Sequence, residues 1–123
     1  MRIPVVNVWL SSPVGETVPG VFADFEASGQ IQAEHLLSRG LRNFAAVVAF
    51  KNRGQELELR QFRRTIEENG LSCITVKMPQ SHSRNLRTWQ KTKELIAAWM
   101  DKWQTPIGVM VGYEDCGRLI VQM

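Results

Sequence analysis

Thiol and imidazole chemistry is scarce in this chain, whose 123 residues include two cysteines and two histidines. Cys73 and Cys116 lie far apart, and neither belongs to a CxxC or mixed Cys/His cluster, so the spacing of a structural zinc site is missing. They read as free thiols, which fits a reducing compartment and makes the cytoplasm the expected location. His35 falls within a helical pattern and His82 within a loop pattern, neither with a Cys or Ser partner nearby, so solvated or capping roles are expected. Long apolar runs are also lacking. The stretch Phe44 to Phe50 is far below the roughly 20 residues that cross a bilayer, and no charged-then-apolar leader opens the chain. Glycine-rich phosphate loops of either usual spacing and a GxSxG nucleophile elbow are absent, as are internal repeats and low-complexity segments. No catalytic residue, no metal, no cofactor and no membrane partner are therefore expected.

What the chain does have is enough length for one core. A domain of this size buries roughly 65% of its unfolded surface and needs neither disulfides nor metal. The formal net charge is +3 with a pI near 9.2. Acidic residues are interleaved with the basic ones, which describes a solvated surface better than a nucleic-acid footprint. Neither an aromatic RNA-binding sheet, nor zinc-finger spacing, nor a helix-turn-helix pattern is present.

Periodicity organises the chain into alternating strands and helices. Ile3 to Leu10 is a β-branched run that reads as a first strand, followed by a turn-rich stretch with Pro13, Gly15, Pro19 and Gly20. Val21 and Phe22 could add a short strand. Asp24 is a suitable N-cap for a helix over Phe25 to Arg39, where Ala27, Ile31, Leu36 and Leu37 recur at near-helical spacing and Gly40 follows as a left-handed cap. The unbroken apolar run Phe44 to Phe50 predicts a central strand covered on both faces. A polar loop, Lys51 to Gly54, precedes a helix over Gln55 to Asn69 with Leu59, Phe62 and Ile66 on one face and Gly70 beyond it. Ser72 to Met78 predicts another strand, Pro79 to Arg84 a loop, and Asn85 to Trp103 a helix. Its stripe of Trp89, Thr92, Ile96, Trp99 and Trp103 is expected to pack on the sheet. Thr105 and Pro106 break that helix before a strand over Ile107 to Gly112, and a last helix starts at Glu114. The βαβαβαβα order implies an α/β fold, a three-layer α/β/α sandwich around a parallel, Rossmann-like sheet with right-handed crossovers.

Open parallel sheets bind ligands beyond the carboxyl ends of their strands. That rule selects Trp9, Ser11 and Ser12, then Lys51 and Asn52, then Tyr113 and Glu114. Aromatic, hydroxyl, amide and carboxylate groups together suit a polyol, whose ring faces pack on aromatics while its hydroxyls pair with fixed polar groups.

Four stretches resemble the effector-binding domains of lac/galactose-repressor type, which share the periplasmic-binding-protein type I fold. They are IPVVNV (Ile3 to Val8), VFADFEASGQIQAEHLLSRGLRNFAAV (Val21 to Val47), ELRQFRRTIEENGL (Glu58 to Leu71) and TPIGVMVGYEDCGRLIVQM (Thr105 to Met123). The second is similar to the family pattern through Asp24, Gly29, Ala33, Leu36 and Gly40, and the third places Phe62 where the family has its Arg-x-x-Gly-Phe phenylalanine. The last stretch most resembles the xylose-operon regulators, which join such a sensor to a separate DNA-binding domain.

The resemblance implies a single ligand-binding lobe over residues 1–123, mainly the second of two. Residues 1–10 would form a strand of the inter-lobe crossover, and the remainder of the first lobe would precede Ile3. It implies sugar sensing without catalysis, with a pentose such as xylose as ligand, DNA contacts through another domain, and homodimerisation. Carried across by position, Trp9 matches a sugar-contacting site, Glu58 stands where the family often has a ligand-binding arginine, and Tyr113 and Glu114 replace an Asn-Asp or Thr-Asp pair. An arginine-to-glutamate change reverses charge and exchanges a donor-only group for an acceptor; Arg60, nearby on the same helix, could compensate. Competing readings are a small flavodoxin-like enzyme domain, which needs a phosphate loop or nucleophile–base pair, and a phosphoacceptor receiver, which needs carboxylates where Trp9 and Leu10 stand. A dimerisation module is a third.

Overall fold

In the computed structural model the described residues are 3–12, 17–78 and 86–123. Seven elements follow in order: α1 (Phe25–Ser38), β1 (Asn43–Ala49), α2 (Arg53–Glu68), β2 (Cys73–Met78), α3 (Leu86–Met100), β3 (Ile107–Val111) and α4 (Glu114–Gln122). The three strands form one parallel sheet in the order β2-β1-β3.

Local signals account for the ends of the first two helices. The Asp24 carboxylate accepts the Ala27 amide at 3.0 Å, and the Asn52 side chain accepts the Gln55 amide at 3.0 Å, each satisfying a first-turn donor that the helix leaves unpaired. Gly40 and Gly70 close the same helices with φ of +79° and +76°, a conformation a side chain would strain.

β1 is central because its sequence suits both layers. From Phe44 to Ala49 every residue is buried. Phe44, Ala46 and Val48 face one side and pack against Ala33 of α1 and Leu59, Phe62 and Ile66 of α2. Ala45 and Val47 face the other and pack against Ile96 and Trp99 of α3 and Cys116 and Leu119 of α4. A strand with apolar side chains on both faces is stable only between two helical layers, and burying each Val or Phe contributes about 1.5–3 kcal/mol. The domain is a three-layer α/β/α sandwich.

Three expectations are corrected. Ile3 to Leu10 does not join the sheet: one isolated parallel bridge ties Asn7 to Gly20, and Ile3, Val5, Val6, Val8 and Trp9 are exposed. β-Branched composition supplies extended backbone, but a strand also needs a paired neighbour, and Ile3 to Leu10 pairs with the outer edge of neither β2 nor β3. Val21 and Phe22 likewise form no strand. Among the described residues the order is therefore αβαβαβα. Within the helices, Ile31 and Trp89 point to solvent, and α1 instead buries Gly29 and Ala33. The core role of Ile96 and Trp99 holds, with Trp103 meeting Trp99 edge-on at 5.0 Å between ring centroids. The loop expected at Pro79 to Arg84, and His82 with it, lies outside the described residues.

Candidate functional site

The strand order creates a switch point. The chain leaves β1 into α2 on one face of the sheet and leaves β3 into α4 on the opposite face. The carboxyl ends of these adjacent strands thus open a crevice from which the following helices diverge, the place where open α/β sheets hold ligands.

Gln55 spans this crevice. Its Oε1 accepts the Ala49 amide at 2.7 Å, terminating β1, and a Cβ placed on Gly112 would collide with the same carboxamide. Across the gap the Gly112 amide donates to the Val47 carbonyl at 2.8 Å. Spacing within the α2 pattern marked Gln55 only as a first-turn residue. Its role depends on the close approach of Gly112, 57 positions later in numbering, about which local periodicity says nothing.

The expected site residues distribute around this point in separate groups. Tyr113 and Glu114 line a shallow depression of about 630 Å³ at the end of β3, together with Gly117 and Arg118 of α4. Glu114 is neutralised there by Arg118, whose guanidinium lies 2.6 Å from its carboxylate. Tyr113 is half-buried; desolvation, with lesser contributions from Cys116 and Asp115, holds its phenol above the ordinary range, so it remains protonated.

Lys51 lies in a second depression, of about 390 Å³, at the start of α2, lined also by Arg53, Glu56, Leu57 and Arg60. Its backbone has φ of 56°, a left-handed conformation unusual for a residue with a side chain. Ser11 reaches the same corner, where the Arg53 amide donates to its Oγ at 3.1 Å. Asn52 acts as the α2 cap. Trp9 is 58% exposed, with its amide held by the Asn7 carboxamide oxygen at 2.9 Å.

Glu58 points elsewhere. Gln32 of α1 donates to its Oε2 at 3.2 Å, and Gly29 packs directly over the Glu58 backbone, so this residue lies in the α1–α2 contact. Desolvation raises its carboxyl above the ordinary value, partly offset by the Gln32 bond. Arg60, two residues on, lines the Lys51 depression. His35 is exposed in the last turn of α1.

Among the described residues no three His, Cys, Asp or Glu side chains are placed to hold a metal ion, and no helix is long and apolar enough to cross a membrane.

Against known proteins, no family model matches the chain, and no curated protein matches it. One solved structure does: a protein from Clostridium difficile 630, described as a "Putative transcriptional regulator", superposes with a TM-score of 0.66 at 17% identity. The match covers 94% of this chain and 30% of that one, so the chain spans less than a third of the protein it resembles, and what the two share is the fold.

Proposed function

We propose that this chain is a ligand-sensing lobe of a bacterial transcriptional regulator, responding to a sugar and catalysing no reaction. The observation that carries the reading is the β1/β3 switch point with a depression at the end of each strand, built on a domain that superposes along 94% of its length on part of a protein described as a regulator. The xylose-regulator resemblance supports a pentose such as xylose as ligand. Ser11 and Lys51 on one rim and Tyr113 and Glu114 on the other supply its hydroxyl partners, with Trp9 as a stacking face. Glu58 braces α1 against α2, and Arg60, which lines the Lys51 depression, compensates for the ligand-binding arginine that the resemblance puts at Glu58. In this reading the sensor works in the cytoplasm as a homodimer, reaches DNA through another domain, and signals by lobe closure, which a ligand drives by binding the closed form better than the open one.

The test is amide chemical-shift mapping of the isotopically labelled chain against millimolar pentoses and hexoses. Saturable shifts clustered at Ser11, Lys51, Tyr113 and Glu114 are the expected result. Shifts scattered over the surface, or none with any sugar or sugar derivative, would remove sugar sensing and leave an α/β lobe of another function.

A further inference from the structure

The depression at the carboxyl end of β1 is lined by three cationic side chains, Lys51, Arg53 and Arg60, and one acidic side chain, Glu56. The acid is already engaged, because Lys77 of the edge strand lies 3.7 Å from Glu56 Oε1. None of the three cations has an ion pair among the described residues, whereas Arg63, Arg64 and Arg118 each pair with a glutamate four residues away on its own helix. The contrast is marked along α2 itself. Its distal arginines, Arg63 and Arg64, are matched by Glu67 and Glu68, while Arg60 makes no ion pair among the described residues, the Glu56 carboxylate beside it being taken by Lys77.

The first amides of α2 do not account for an anion preference here, since Ser11 takes the Arg53 amide and Asn52 takes that of Gln55. What remains is side-chain charge. Two guanidinium forks and one ammonium are donors only; they offer a neutral polyol hydroxyl no acceptor, and with Glu56 shared with Lys77 they leave the depression with an excess of positive charge. A phosphate monoester removes both deficits, because it carries about two negative charges near neutral pH and three acceptor oxygens that guanidinium groups bind in bidentate fashion.

We propose that this depression receives a phosphate group, and that the effector of the lobe is a phosphorylated sugar. The assignment rests on the sensor reading above and specifies its ligand. The phosphate sits on Lys51, Arg53 and Arg60, and the sugar ring extends past Gln55 toward Tyr113 and Glu114.

The test compares glucose, xylose, glucose 6-phosphate, ribose 5-phosphate, glucuronate and inorganic phosphate by amide-shift titration of the labelled chain at fixed ionic strength. The expected result is that a sugar phosphate binds at least tenfold tighter than its neutral sugar and tighter than inorganic phosphate, with shifts at Lys51, Arg53 and Arg60. Lys51→Gln and Arg60→Gln should each weaken it roughly tenfold, the scale of one lost charge-assisted hydrogen bond. Arg64→Gln, on the same helix but paired with Glu68, should leave it unchanged. All three positions are exposed, and the dispersion of the amide spectrum verifies that the variants fold. Equal affinity for neutral and phosphorylated sugars would overturn the phosphate assignment and keep the sugar sensor. Glucuronate equal to the phosphates would overturn phosphate in favour of any anion. Inorganic phosphate equal to the sugar phosphates would keep the anion site and count against sugar recognition. No binding by any of the six would overturn both.

Discussion

The Gln55 side chain accepts the Ala49 main-chain amide at 2.7 Å, so a residue of α2 completes the last hydrogen bond of the central strand. Ala49 is fully buried, and its amide has no route to water in compensation. Gln55→Ala should therefore destabilise the fold by about 1–3 kcal/mol, the cost of an unsatisfied buried donor. Urea unfolding monitored by circular dichroism measures this. A loss below about 0.5 kcal/mol, the scale of an ordinary surface change, would show that the bond contributes little.

Gly29 and Glu58 set the distance between α1 and α2. A Cβ at Gly29 would run into the Glu58 carbonyl oxygen, which belongs to the backbone of a packed helix and cannot swing aside. Gly29→Ala should lower stability by about 1–3 kcal/mol, as overpacking of a tight contact does, despite alanine's better helix propensity. Gly29 lies within a helix at ordinary φ, so the effect is steric. An unchanged or higher melting temperature for the alanine variant would mean that the helices separate at no cost.

Glu58 gives the fold a pH dependence of unusual sign for a carboxylate. Its folded-state pKa is raised by desolvation above the ordinary 4.5, so the native state holds its proton more tightly than the unfolded chain. The resulting stability is fully present below the unfolded pKa and is lost as pH rises through the higher folded value. Glu58→Gln, which keeps an acceptor for Gln32, should flatten that decline and melt higher than the parent above this window. Parallel thermal melts from pH 4 to pH 7 provide the comparison; curves that stay parallel across the range would assign the decline to other groups.

Both thiols should be inert in the native chain. Desolvation is the main cause pushing Cys73 up to about 12, with Arg63 opposing and Glu67 adding to it, and desolvation also raises Cys116 against a lowering hydrogen bond with Tyr113. Nucleophilic attack needs the thiolate. An aromatic disulfide reagent at pH 8 should label the folded chain far more slowly than the urea-unfolded chain, in which both cysteines react. Rapid native labelling of one cysteine would identify a locally open site.

The helices and their ends were legible because their causes are local. Asp24 and Gly40 bracket α1, Gly70 ends α2, and the repeat of Leu59, Phe62 and Ile66 reports the buried face of α2. Asn52 reads from the sequence as a residue of the loop after β1, and its contact with the Gln55 amide makes it the α2 cap. The site was legible in part. Lys51, Tyr113 and Glu114 do stand at strand ends, since that follows from element order alone, but the shape of the depressions beside them depends on how α2 and α4 leave the sheet, and the turn of Glu58 toward Gln32 on how α1 packs on α2.

By itself the sequence determined the alternation of helices and strands and the central place of β1, because the apolar run from Phe44 to Ala49 needs cover on both faces. Tertiary structure decided which extended segment pairs and which side chains meet. Ile3 to Leu10 has the composition of a strand, yet it makes one isolated bridge and joins neither outer edge of the three-stranded sheet. Gln55 meets Gly112 only because the crossover returns β3 beside β1. Pairing and convergence are long-range events, set by contacts between segments far apart in the chain, and no short window of residues contains them.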